Sequence, residues 1–330
     1  MDASPARGGR SWRDTGFGQN MGMIYNRLVP CNLCGSESFS LLYPDELGDR
    51  AATVDYDFSP QTRKTYRIVK CEACGLIFTN PMPALQSSYE QTEDETYLRS
   101  RPQRLRTADR LVRRLLQYKN GGDLLDVGCS TGILLDAASR HFSVEGVELS
   151  PWAFEHASAR HKVYRRPLRH LGLEKKYDVV TLMGVIEHFE DPTAEIRAIH
   201  DVLTPGGLFV VYTGDVGAWL PRILGKTWWW YQGMHLFYFS RSTCERLLNK
   251  CGFDVVTTEN HCTYFELHSL GISLRRYRIG LLLHPLLNLP GVRNAIVPLK
   301  LSGEMLMFAT KRGGVQSDRA SDLVARAVMV

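Results

Sequence analysis

Apolar positions along this chain fall into two spacings, and their alternation predicts a mostly parallel α/β sheet. Short, largely apolar runs at 124–127 and 177–183, interrupted only by Asp126, Asp178 and Thr181, suit central strands buried on both faces, and 144–150 and 203–211 each carry a further strand. Between 104 and 119 the spacing changes. Leu105, Ala108, Leu111, Val112, Leu115 and Leu116 recur every three or four residues and predict a helix packed on the sheet. Farther on, 242–251 reads as a helix, 253–258 as a sixth strand and 305–310 as the last. A long stretch, 260–303, separates these two strands, far more than the ~2–5 residues of a usual hairpin loop.

The chemistry stands at the ends of the strands. Residues 124–132 read Leu-Leu-Asp-Val-Gly-Cys-Ser-Thr-Gly, a strand running into a loop with glycines at 128 and 132. Such a backbone can lie directly against a ligand, because glycine has no Cβ. The dinucleotide pattern Gly-x-Gly-x-x-Gly is absent, since Ser130 occupies its second glycine position. Glu148 ends the next strand, where a carboxylate can accept both ribose hydroxyls. Past 177–183 come Gly184, Val185, Ile186, Glu187 and His188, and 203–207 reads Leu-Thr-Pro-Gly-Gly.

In this order and spacing, these residues closely resemble the class I S-adenosylmethionine (SAM)-dependent methyltransferases. The resemblance implies a Rossmann-like, seven-stranded α/β sheet whose last strand runs antiparallel to its neighbours. It also implies a SAM site made by Asp126, Gly128, Cys129, Ser130, Gly132, Glu148, Leu149, Leu168, Met183, Gly184 and Val185. The glycine loop would take the methionine part and Glu148 the ribose.

Eight cysteines divide into two groups. Cys31-Asn-Leu-Cys34-Gly35 and Cys71-Glu-Ala-Cys74-Gly75 repeat one knuckle, whereas Cys129, Cys244, Cys251 and Cys262 are scattered. Two thiolate pairs supply the four soft ligands of a tetrahedral Zn2+, with paired disulfides as the alternative. No His or Asp stands nearby to leave an open coordination position, so the zinc is expected to be structural. It would fold a segment too poor in apolar residues for a core of its own. The phrase at 74–83, Cys-Gly-Leu-Ile-Phe-Thr-Asn-Pro-Met-Pro, together with the aromatic segment 225–240, is similar to a zinc-ribbon branch of the same superfamily. Members of that branch modify bacterial surface polysaccharides and natural-product sugars. The implied acceptor is a small molecule or glycan, free or lipid-linked, methylated on a sugar hydroxyl. The expected organisation is a flexible arm at 1–28, a zinc ribbon at 29–80, and a linker with helix at 81–120. The methyltransferase domain follows at 121–313 with its lid insertion at 260–303, then a tail at 314–330.

A neutral hydroxyl is a poor nucleophile and needs a base. Glu187 and His188 lie at the mouth of the expected cofactor site, and His235 lies in the aromatic segment; imidazole titrates near working pH. In ubiquinone-type O-methyltransferases a Glu-x-x-Glu-His phrase is associated with a divalent metal. Gly184 replaces its first Glu here, so metal dependence is not expected. Trp228, Trp229, Trp230 and Tyr231 offer walls for an acceptor pocket, although three adjacent tryptophans cannot all face one cleft.

Composition narrows the picture only a little. At 44% hydrophobic and 23% charged the chain is ordinary globular material, expected in the cytoplasm. A net charge of +5 does not argue for nucleic acid. RNA methylation remains an alternative, as does a non-catalytic scaffold. The insertion has no acid between Glu266 and Glu304 but carries Arg275, Arg276, Arg278, Arg293 and Lys300. A pair of lid helices is the leading reading. The alternative is a peripheral contact of 272–300 with the inner face of a membrane.

Overall fold

A computed structural model describes residues 27–48, 63–83, 93–275 and 277–313, and only the backbone of Arg278, Ile279 and Leu281. The arm (apart from residues 27 and 28), residues 49–62 of the expected ribbon, 84–92 of the linker and the tail at 314–330 lie outside these residues.

The ribbon comes first. Strands β1 (Phe39–Tyr43), β2 (Ile68–Cys71) and β3 (Ile77–Thr79) pair antiparallel in that order. Its second Cys-x-x-Cys knuckle turns the chain from β2 into β3. In the phrase at 74–83, Leu76 and Phe78 are buried apolar anchors. Asn80 is buried too, and its side-chain amide exchanges two hydrogen bonds with the Val29 backbone, both 3.2 Å. That clamp holds the start of the ribbon to its end.

A short helix α1 (Glu95–Arg99) leads into α2 (Arg101–Leu115). Ala108, Leu111, Val112 and Leu115 form the buried stripe of α2, as the spacing predicts. The sheet follows: β4 (Asp123–Val127), α3 (Ile133–Ala138), β5 (Ser143–Val147), α4 (Pro151–Ser158), β6 (Lys162–Tyr164), β7 (Tyr177–Met183), α5 (Pro192–Val202) and β8 (Leu203–Gly214). After α6 (Trp219–Leu224), β9 (Phe237–Tyr238) and α7 (Arg241–Lys250), β10 (Phe253–Glu259) adds an edge strand. The insertion contains β11 (Cys262–Glu266), α8 (Leu267–Leu274), α9 (Arg278–Leu287) and β12 (Ile296–Lys300), and β13 (Glu304–Lys311) closes the fold.

Across the seven-stranded sheet the order is β10-β13-β8-β7-β4-β5-β6. Strands β6, β5, β4, β7 and β8 are mutually parallel, while β13 is antiparallel to both β8 and β10. This is the Rossmann-like arrangement expected from the sequence. Strand order reverses between β4 and β7, and ligands of such sheets bind at the carboxyl ends around that point.

Three local features depart from expectation. The Thr-Pro-Gly-Gly run at 204–207 makes an irregularity within β8, whose pairing with β7 jumps from Tyr177↔Leu203 to Val179↔Leu208. The insertion has its two helices, but they spring from an unforeseen antiparallel pair, β11 with β12. The ribbon, finally, is not a free-standing unit. Residues of the aromatic segment form β9, its fourth strand, with Phe78 opposite Phe237 and their rings stacked 5.8 Å apart. Ribbon residues such as Phe78 and Leu76 therefore share a hydrophobic core with Val180, Phe209 and Met305 of the large sheet. Polar contacts add to the docking: Lys250 Nζ donates to the Asn32 and Leu33 carbonyls at 2.8 and 3.0 Å.

Candidate cofactor site and catalytic cluster

The loop after β4 is stapled to β5. The amides of Gly128 and Cys129 both donate to the Val147 carbonyl, at 2.8 and 3.0 Å. Gly128 has φ +77, and a Cβ there would stand 2.5 Å from Val185 Cγ2. Only glycine meets both conditions. Gly132, at φ +80, begins α3, so the turn passes straight into a helix N-terminus.

Glu148 closes the site from β5. Its carboxylate accepts the Leu149 and Ser150 amides on one oxygen and the Ser130 amide on the other, all at 2.8 Å. One side chain thus ties the glycine loop to the following helix. Burial raises this carboxyl, and the three amides oppose the rise. Asp126 is buried at the end of β4 and accepts from Thr181 Oγ1 at 2.7 Å. Burial pushes it up to about 7, with the nearby Glu148 charge adding to the effect against the Thr181 bond. Leu168 is buried in a short 3-10 turn. Met183 ends β7, and Gly184 donates its amide to the Tyr212 carbonyl at 2.9 Å. Leu168 follows β6, and the others stand at or just beyond the carboxyl ends of β4, β5 and β7.

Two participants escaped the sequence reading. Tyr97 of α1 packs against the hydrophobic cluster that contains Cys129 of the glycine loop, and the Arg104 guanidinium lies 3.9 Å from the centre of its ring. Helix α1 therefore covers the glycine loop. A five-residue helix leaves no periodicity to detect. Thr181 was legible in principle, being the cross-strand partner of Asp126 in β7.

The second group gathers the three residues expected from the sequence to be catalytic. Glu187, His188 and His235 bring ligand-type atoms within 4.8 Å of one another, although His235 is remote in sequence. Glu187 is buried and accepts from Thr213 Oγ1 at 2.9 Å; burial pushes its carboxyl up to about 8. At neutral pH it therefore holds its proton. His188 Nδ1 pairs with the Met234 carbonyl at 3.0 Å, and His235 Nδ1 with the Trp230 carbonyl at 2.7 Å. The two rings meet edge to face with centroids 4.8 Å apart. Burial lowers both imidazoles, His188 to about 4, and the His188 ring depresses His235 further. The cluster is thus a neutral acid beside two neutral bases, with His235 the more deeply buried.

The tryptophans resolve differently from the pocket-wall expectation. Trp228, Trp230 and Tyr231 are buried against Ile68, Ile77 and Tyr238, filling the seam between ribbon and sheet. Trp229 is half-buried and donates Nε1 to Glu304 at 3.1 Å. The same segment carries a backbone relay: Thr79 of β3 donates to the Leu236 carbonyl at 2.8 Å, and Leu236 donates to the Glu187 carbonyl at 2.7 Å. The ribbon is thereby one residue away from the turn that carries Glu187 and His188.

Cys31, Cys34, Cys71 and Cys74 bring their sulfurs within 4.8 Å of one another, with Cys31–Cys74 at 3.4 Å and Cys34–Cys71 at 3.6 Å. Tetrahedral zinc with Zn–S of ~2.3 Å requires sulfurs ~3.8 Å apart, so the donor set fits. Although burial opposes it, the Cys74 and Ala73 amides bring the Cys71 thiol down to about 7, toward the thiolate a metal needs.

Residues 97–258 match the protein family described as "Methyltransferase domain". Among curated proteins, the chain is similar to the ubiquinone biosynthesis O-methyltransferase of Nitrosospira multiformis, 31% identical over 41% of this chain and 64% of that protein. Its counterpart from Psychrobacter arcticus is 37% identical over 28% of this chain and 41% of that protein. The chain thus spans about half the length of these relatives. Among solved structures, a SAM-dependent methyltransferase from Thermotoga maritima, described as a possible histamine N-methyltransferase, aligns with TM-score 0.46 and 17% identity. That alignment covers 70% of this chain and 100% of the other.

Proposed function

We propose that this chain, whose residues 97–258 match a methyltransferase-domain family, moves the methyl group of SAM onto a small-molecule acceptor, on the oxygen of a sugar hydroxyl. The single observation that supports it most is the joining of the glycine loop to Glu148 at the carboxyl ends of β4 and β5, with an acid–imidazole cluster beyond β7.

Bound SAM would supply an electrophilic methyl on a good leaving group. The chain's own contribution is to bind, orient and deprotonate. The loop at 128–132 holds the methionine end by its backbone, under Tyr97. Glu148, relinquishing part of its amide set, receives the ribose hydroxyls. His188 would act as the general base, its imidazole taking the proton of the acceptor O–H. Protonated Glu187 and His235 hold that ring in place. Proximity alone can supply up to ~7–11 kcal/mol of such a barrier. The four cysteines would hold a structural Zn2+, fixing the ribbon and, through Thr79 and Leu236, the Glu187 turn.

The test is incubation with radiolabelled SAM and a panel of nucleotide sugars and glycans. Label in a sugar product, absent with His188→Ala, supports the reading. Label on RNA alone, or none anywhere despite SAM binding, refutes it.

A further inference from the structure

Two stretches of the chain contain no acidic residue at all, 216–244 and 267–303. The first holds α6 and the second holds α8 and α9. These helices also carry most of the large apolar side chains left in solvent among the described residues. Trp219 is 62% and Ile223 73% exposed, one helical turn apart on α6. On α9 Leu282 is 76% and Leu286 58% exposed, again one turn apart, and Ile272 and Leu289 add to them.

The two stretches touch. Tyr277 Oη, at the start of α9, donates to the Thr227 carbonyl just beyond α6 at 3.0 Å. At the foot of the insertion a Cβ on Gly303 would stand 3.0 Å from the Pro221 ring of α6. Helices α8 and α9 pack on each other at Gly271 and Leu287, which leaves their outer sides uncovered. Arg222 on α6, Arg275 after α8 and Arg293 beyond α9 are exposed cations in the same stretches.

We propose that this face docks on an anionic lipid surface, with Trp219, Ile223, Leu282 and Leu286 entering the acyl boundary and the arginines meeting headgroup phosphates. Exposed apolar side chains framed by cations, with acids absent, is the composition that interfacial helices share. Charge also selects this occupant over a second copy of the chain. Glu46 of the ribbon neutralises Lys226 at 3.1 Å, but a two-fold contact of the two stretches would still set Arg222, Arg275 and Arg293 against their own copies and oppose like charges. No helix among the described residues is long and apolar enough to cross a membrane, so the contact is one of lying on the surface. The inference does not rest on methyl transfer.

The test is co-sedimentation of the full chain with vesicles of phosphatidylcholine alone, and with about one-third phosphatidylglycerol. The wild type should partition onto the anionic vesicles only, and added salt should weaken the binding. Trp219→Glu/Ile223→Glu and Leu282→Glu/Leu286→Glu should each weaken partitioning at least ~10-fold while leaving SAM binding unchanged. Should either pair fail to fold, Arg222→Glu/Arg275→Glu, which alters only exposed charge, must give the same loss. The proposal is overturned by no partitioning, or by equal, salt-insensitive partitioning onto phosphatidylcholine. A dimer in light scattering that these substitutions dissolve, without vesicle binding, overturns it in favour of self-association.

Discussion

Gly128→Ala places one methyl group where the structure has no room, and its two costs can be separated. The first is backbone strain: φ is +77 at this residue, and a left-handed alanine costs ~1–2 kcal/mol. The second is overlap, since the new Cβ would lie 2.5 Å from Val185 Cγ2, and overpacking of this kind costs ~1–3 kcal/mol. Together they destabilise the fold by ~2–5 kcal/mol, or several degrees in Tm. Any part relieved by shifting the loop moves the Gly128 and Cys129 amides and appears as weaker SAM binding, tenfold for each ~1.4 kcal/mol. We expect a 10- to 100-fold rise in the SAM Kd by calorimetry, an order of magnitude set by those costs. Adding Val185→Ala should remove the overlap and recover much of both losses. Gly172→Ala supplies the control, because Gly172 also has positive φ (+59) but nothing within 4 Å of the added Cβ. It should cost only the strain and leave SAM binding intact. If Gly128→Ala behaves like Gly172→Ala, or Val185→Ala brings no recovery, the packing argument is wrong.

Other expectations follow from the same geometry. His188→Ala should lower kcat by ~10²–10⁴ with the SAM Kd unchanged, and the acid limb of the wild-type kcat profile should lie near pH 4 to 5, below the ordinary imidazole range; a limb at 6.5 would assign the base elsewhere. Asp126 and Glu187 are raised to about 7 and about 8, so the native state keeps protons that the unfolded chain has released. Their contribution to stability is complete below about pH 4 and lost as pH rises through 7 and 8, which chemical denaturation of the apoprotein should show against pH. Because SAM carries a positive sulfonium, its binding should release protons and tighten as pH rises from 6 to 8; calorimetry in buffers of different ionisation enthalpy measures that release. Stripping zinc with a chelator should lower Tm and depress kcat more than it raises the SAM KM, because the relay through Thr79 and Leu236 ends at Glu187 and not at the glycine loop.

The strands were legible because burial on both faces writes short runs rich in apolar residues, as at Leu124, Leu125 and Val127 around the buried Asp126. The glycine loop, Glu148 and the paired knuckles were legible because their chemistry is local and its spacing short. What stayed hidden is non-local. His235 reaches Glu187 only because β9 pairs with β3 and carries its segment across the seam. The tryptophans looked available for an acceptor pocket, yet Trp228 and Trp230 were needed to fill the space between ribbon and sheet. Pairing of β11 with β12 brackets two helices, and no local signal joins strands so far apart in sequence. Tyr97 came from a helix too short to read.

The central claim is that the chain binds SAM between the glycine loop and Glu148. Calorimetric titration of SAM into wild type and Glu148→Ala, with zinc content assayed in each sample, tests it most directly. The account predicts micromolar binding by the wild type, at least a ~10-fold loss in the variant, and about one zinc per chain in both. Failure of folded, zinc-loaded wild type to bind SAM, or equal affinity in the folded variant, would contradict it.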